Sequence, residues 1–178
     1  MWALLAGAGS GCFWPQDDQV FSDLPPKKNS PPRILPNQVK PSLDYSYKPG
    51  CPNPFSFSVE DPDVSDVIYN RWFVYSPKAT PVAYFDGERL LSGTKPARDK
   101  SIVAPTPLFS AASELVQNGE HRVEVVIADG IFVGSTADTV EPHEKTMPDG
   151  GVVLDPSYTD TYVWIVKTSD TLTDCVPP

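Results

Sequence analysis

The chain has 178 residues, 40% of them hydrophobic and 21% charged, with 21 prolines, 11 glycines and a net charge of −9. The acidic balance leaves no basic excess to neutralise phosphates, which excludes nucleic acid as a partner. No run of about 18 apolar residues exists, which excludes a polytopic membrane protein, and 11% aromatics with dense β-branched runs argue against a wholly disordered chain.

The chain begins Met1-Trp2-Ala3-Leu4-Leu5-Ala6-Gly7-Ala8-Gly9-Ser10-Gly11-Cys12, an apolar stretch, then small residues, then a cysteine. Small residues ahead of a cut site mark a processing segment and not a part of the fold. Ser10-Gly11-Cys12 resembles the end of a bacterial lipoprotein signal, in which a small residue precedes an invariant Cys. Gly9 departs from that family, which usually has Leu there. No Lys or Arg precedes the apolar stretch, so the start is expected to lie inside a longer signal. The resemblance implies that residues 1–11 are removed, that Cys12 carries a lipid, and that the protein is exported and bound to a membrane through its acyl chains. Phe13 stands where the family's inner-membrane retention signal has Asp, which favours the outer membrane. The alternative is an ordinary N-terminus with a chance Gly-Cys.

Residues 13 to 54 contain ten prolines: Pro15, Pro25, Pro26, Pro31, Pro32, Pro36, Pro41, Pro49, Pro52 and Pro54. Proline donates no N–H and fixes φ, so a disordered, polyproline-type tether is expected over 12–50, with the folded domain over 51–178. At about 3.1 Å per residue, some thirty such residues reach roughly 90 Å. Lys27, Lys28 and Arg33 lie within it. A solvated spacer is the simpler reading of these three, ahead of contact with anionic headgroups.

The chain has three cysteines, Cys12, Cys51 and Cys175. If the lipoprotein resemblance assigns Cys12 to the lipid, Cys51 and Cys175 remain as an even pair in a compartment that permits a disulfide. Bridging them closes a loop of about 125 residues and contributes ~2–4 kcal/mol. Two free thiols are the alternative. No C-x-x-C or neighbouring His pair points to a metal at these positions.

From Phe55 the pattern has period two. Phe55, Phe57 and Val59 alternate with Ser56, Ser58 and Glu60. The run Val67–Tyr75 is β-branched and aromatic, with Ile68, Trp72 and Val74 on one face and Arg71, Phe73 and Tyr75 on the other. Val82–Phe85 runs into the turn signal Asp86-Gly87. Ser101–Val103 reads as a short strand and Leu108–Val116 as one or two helical turns. In Glu120–Ala128, Val123, Val125 and Ile127 form an inward row, with Arg122 and Glu124 outward. Ile131–Val133 reads as the start of a strand and Pro142–Pro156 as a polar loop. In Thr159–Lys167, Tyr162, Trp164 and Val166 alternate with Val163 and Ile165. Six to eight short strands between turn signals predict an all-β sandwich or barrel.

Val59-Glu60-Asp61-Pro62-Asp63, followed by Asp66, Ile68 and Trp72, resembles the V-x-D-P-D…D-x-L-x-x-x-W signature of bacterial immunoglobulin-like modules of the PKD, cadherin-like and fibronectin-like groups. Gly119–Gly130 resembles their late strand, which ends in V-x-D-G. The resemblance covers about 55–168 and implies an immunoglobulin-like β-sandwich in which Trp72 fills the space between the sheets, while alternation adds Val125 and Trp164 to the expected core. The 87–108 and 134–158 connections are longer than usual for such a module.

Glu60, Asp61, Asp63 and Asp66 place four carboxylates in one short stretch. Hard oxygen ligands at that density suit calcium, as in some cadherin-like relatives, although EF-hand spacing is lacking. The simpler reading is an Asx-type turn. His121 and His143 are isolated and read as surface residues, and Asp86, Asp129 and Asp149 each precede a glycine as turn residues. No G-x-S-x-G elbow, P-loop or dinucleotide fingerprint is present, so no catalytic residue and no organic cofactor are expected. The aromatics around Trp72 and Trp164 read as core, with a sugar-binding face as the alternative. The expectation is therefore an exported, lipid-anchored cell-envelope protein with a non-catalytic binding or structural domain. A protein or glycan ligand is its candidate partner. A carbohydrate-binding module and a calcium-dependent adhesion module are the alternatives.

Overall fold

The computed structural model describes residues 28–42, 44–76, 83–110, 113–137, 139–146 and 150–175. Cys12 and the segment 1–11 lie outside the described residues. The strands are β1 (Arg33–Ile34), β2 (Asp44–Tyr47), β3 (Ser56–Phe57), β4 (Val59–Glu60), β5 (Tyr69–Tyr75), β6 (Ala83–Asp86), β7 (Ile102–Val103), β8 (Gly119–Ala128), β9 (His143–Thr146), β10 (Val152–Asp155) and β11 (Thr159–Thr168). Among the described residues the helical elements are short 3₁₀ turns: Glu114–Val116 lies within the stretch expected to turn helically, and Thr106–Phe109 overlaps its start. The all-β expectation holds.

Five strands form the main sheet in the order β2-β11-β8-β5-β6. The β11–β8, β8–β5 and β5–β6 pairs are antiparallel, and β2 runs parallel to β11. Alternation puts Trp72 and Val74 of β5, Val123, Val125 and Ile127 of β8, and Trp164 and Val166 of β11 into one fully buried core. Across the sheet, Val125 lies in register between Trp72 and Tyr162, and Val123 between Val74 and Trp164. The opposing layer is made of the antiparallel pairs β3–β7 and β1–β4. Its buried residues Phe55, Phe57 and Val59 show the expected period. The Phe57 ring meets Trp72 at 5.7 Å and the Phe55 ring meets Trp164 at 5.2 Å, which closes the sandwich.

The outer face of the main sheet is also covered. Phe73, Val126, Ala128 and Phe132 form a second small core. Ile131–Val133 is not a strand of any sheet. It meets the chain again through a single bridge, Phe132 to Val140, and folds over the sheet. Arg71 pins this loop by donating to Gly134 O at 2.6 Å while its guanidinium lies over the Phe132 ring at 4.9 Å. Asp86 takes the Arg71 Nε–H at 2.6 Å.

Two expectations need correction. The tether does not extend to residue 50: β1 and β2 both lie within it. The prolines there do not interrupt pairing. Pro36 opens a 3₁₀ turn, Pro41 and Pro49 flank β2, and β2 sits at a sheet edge. Pro41 even serves the core, since Trp164 Nε1 donates to its carbonyl at 3.0 Å. Nor is Pro142–Pro156 a loop throughout, because β9 and β10 pair as a hairpin. The polar residues of β9 hide a strand that buries little.

Cys51 and Cys175 form a disulfide that joins the chain just after β2 to the tail beyond β11. Tyr47 donates its hydroxyl to Cys51 O at 3.2 Å, and Lys48 reaches Thr173 O at 3.0 Å, so both ends of the domain are fastened together.

Candidate functional site

Strand β4 ends in the acidic turn Asp61–Asp66, shaped by its own backbone and one arginine. Asp61 Oδ1 accepts the Asp63 N–H at 2.8 Å, which is the Asx turn expected from the sequence. Asp66 N–H donates to Asp63 O at 3.0 Å. Beneath the turn lies Arg98, 8% exposed. It donates to Val64 O at 2.9 Å and to the Asp63 and Asp66 carbonyls at 3.2 Å each. Its own N–H binds Val59 O and the Asp61 N–H binds Pro96 O, so the turn is held from below on both sides.

This geometry gathers carboxylates. One ligand oxygen each from Asp61, Asp63 and Asp66 lies within 4.8 Å of the other two. Glu60 does not join them. It remains in β4, in register with Arg33, one residue before the chain turns. A second triad shares Asp66 and adds Asp129 and His143, again within 4.8 Å. Asp129 closes β8, and its Oδ1 accepts the Tyr158 N–H at 2.8 Å. Its Oδ2 accepts Asn29 Nδ2–H at 2.8 Å. His143 opens β9 and places Nε2 3.5 Å from Asp129 Oδ1. From the N-terminal side, the Ser30 N–H donates to Asp63 Oδ2 at 2.7 Å. A cleft of about 400 Å³ lies over Asp63, Asp66 and His143, and a second of about 340 Å³ shares Asp66 and His143 and reaches Asp129.

The electrostatics follow from burial and like charge. Asp61 is wholly buried, and its pKa is pushed up to about 6. Burial is the main cause. The Asp66 and Asp129 charges add to it, while the hydrogen bond from Asp63 and the charge of Arg98 oppose it. Asp66 is raised too, first by burial, with Asp63 and Asp129 adding and His143 opposing. Such a set of hard oxygen donors suits a hard divalent cation.

Sequence reasoning found Asp61, Asp63 and Asp66 but missed Asp129, His143, Asn29 and Arg98. Asp129 was legible only as a turn residue, because the topology that carries β8 back to β4 is not written locally. His121, expected at the surface, is 3% exposed, with Nε2 2.9 Å from Gln117 O. Its parity with Val123, Val125 and Ile127 is the signal that places it inward. Trp72 and Trp164 are wholly buried, so those two indoles form no platform for a sugar. Asp149 lies outside the described residues.

Comparisons with protein families, with curated proteins and with solved structures find no match to the chain. Among the described residues, no helix is long and apolar enough to cross a membrane.

Proposed function

We propose that this is an exported, lipid-anchored cell-envelope protein whose β-sandwich is a non-catalytic binding or structural module. The observation that carries the reading is the sorting of the cysteines. Cys51 and Cys175 are joined to each other, which leaves Cys12 of the three for the lipid. Cys12 follows Ser10-Gly11, as in a lipoprotein signal. A disulfide between the ends of the domain suits an oxidising compartment.

The strand order supports the immunoglobulin-like identity. A sheet in the order β2-β11-β8-β5-β6, with β2 parallel to β11, corresponds to an immunoglobulin G-F-C-C′ sheet with an A′ strand beside G. Trp72 then occupies the strand C position, where such sandwiches keep a core Trp. Since the fold begins before residue 34, the spacer behind Cys12 is shorter than the sequence suggests. Fully extended, the chain from Cys12 to residue 28 spans at most roughly 55–60 Å.

Intact mass spectrometry of the membrane-extracted protein tests this. The expected mass shows cleavage before Cys12, added acyl chains, and loss of two hydrogens for the disulfide. Cys12→Ala is expected to release the protein from the membrane fraction. An unacylated protein that retains residues 1–11 overturns the reading.

A further inference from the structure

We propose that Asp61, Asp63 and Asp66 form the seat of a calcium ion. The Asx turn explains only half of Asp61. Its Oδ1 takes the Asp63 N–H, whereas Oδ2 is buried and has no hydrogen-bond partner among the described residues. A buried carboxylate oxygen left without a partner is costly, so its retention asks for a ligand. Arg98 does not supply one. The Nη2 group that faces Asp61 Oδ2 donates to the Asp63 and Asp66 carbonyls instead, and its approach to Oδ2 is 3.7 Å.

The charge balance points the same way. Asp61, Asp63, Asp66 and Asp129 bring four carboxylates together around the guanidinium of Arg98. A divalent cation offsets the excess. Calcium fits the donor set better than its competitors. It accepts six to eight oxygens in irregular geometry at about 2.3–2.6 Å, and water from the open cleft completes the shell. Magnesium demands a near-ideal octahedron, which three carboxylates on one tight turn do not offer. Zinc prefers nitrogen, which is found only in the neighbouring triad with His143. The Asp63 carboxylate also receives the Ser30 N–H, so an ion in the seat fixes the point where the N-terminal segment joins the fold. The site does not depend on whether Cys12 carries a lipid.

The test is a set of thermal melts and calorimetric titrations on the purified full chain after metal is stripped with EDTA. Calcium chloride at about a hundred times its dissociation constant is expected to raise Tm by ~5–10 °C, with a smaller effect from magnesium. Asp61→Asn and Asp66→Asn, checked for fold by circular dichroism, are expected to lose both the shift and the binding heat, whereas Glu60→Gln retains them. The proposal is overturned if the melt ignores calcium, or if both Asn variants keep the shift. It is also overturned if zinc alone stabilises the protein and His143→Ala removes that effect.

Discussion

The indoles of Trp72 and Trp164 stack with centroids 5.6 Å apart and planes 9° from parallel, although their strands β5 and β11 lie on opposite sides of β8. They meet above Val123 and Val125, which are small enough to leave room. Each indole N–H is satisfied, Trp72 by Asn70 Oδ1 at 2.8 Å and Trp164 by Pro41 O at 3.0 Å. Trp72→Ala empties the centre of the sandwich and is expected to cost ~3–5 kcal/mol in urea unfolding. Trp164→Phe keeps much of the packing but strands the Pro41 carbonyl, for an expected loss of about 1–3 kcal/mol. If Trp72→Ala costs less than 1 kcal/mol, the stack is not the centre of the core.

Gly87 tests the same network from outside. A Cβ at this position would overlap Asn70 Oδ1, the atom that receives the Trp72 indole. Asn70 cannot retreat freely, because its Nδ2 also donates to Glu88 O at 2.7 Å. Gly87→Ala is therefore expected to cost about 2 kcal/mol or more through space and not through backbone strain. The check is the near-ultraviolet circular dichroism of the tryptophans, which should change together with the unfolding midpoint.

Strand parity was the legible part of this fold. Phe55, Phe57 and Val59, and likewise Val123, Val125 and Ile127, declare their inward face by alternation alone, because one side of each strand meets the other layer. The edge of the fold was not legible in this way. Strand β2 lies among prolines that signal a spacer, and its place beside β11 is set by a parallel pairing with the far end of the chain. The site divides similarly. Asp61, Asp63 and Asp66 are neighbours in sequence, whereas Asp129 and Asn29 are brought in by the return of β8 and by the N-terminal segment.

The disulfide acts on the two ends of the domain. Reducing Cys51–Cys175, or replacing both with Ala, frees the tail beyond β11 and the Tyr47 contact with Cys51 O. The expected loss is about 2–4 kcal/mol in the unfolding midpoint. Hydrogen exchange should rise first in β2 and at the C-terminal end of β11, where the two strands pair in parallel. Uniform exchange across the whole main sheet would contradict this placement of the clasp.

Asp61 gives the metal-free protein a defined pH dependence. Its folded pKa of about 6 exceeds the ordinary value of 3.8, chiefly because the carboxyl is buried. Between those values the folded chain keeps a proton that the unfolded chain has released. Stability from this group is therefore present at low pH and is lost as pH rises through about 4 to 6. The loss is at most about 3 kcal/mol. Asp66 is raised in the same direction, again chiefly by burial. Asp61→Asn removes the burdened charge and keeps an oxygen to accept the Asp63 N–H. In EDTA it is expected to match the wild type at pH 4 and to exceed it at pH 7, measured by urea midpoints at both values. Added calcium should reverse the order at pH 7, because only the wild type gains a ligand. A variant less stable than the wild type at pH 7 in EDTA would show that the Asp61 charge is already compensated within the protein.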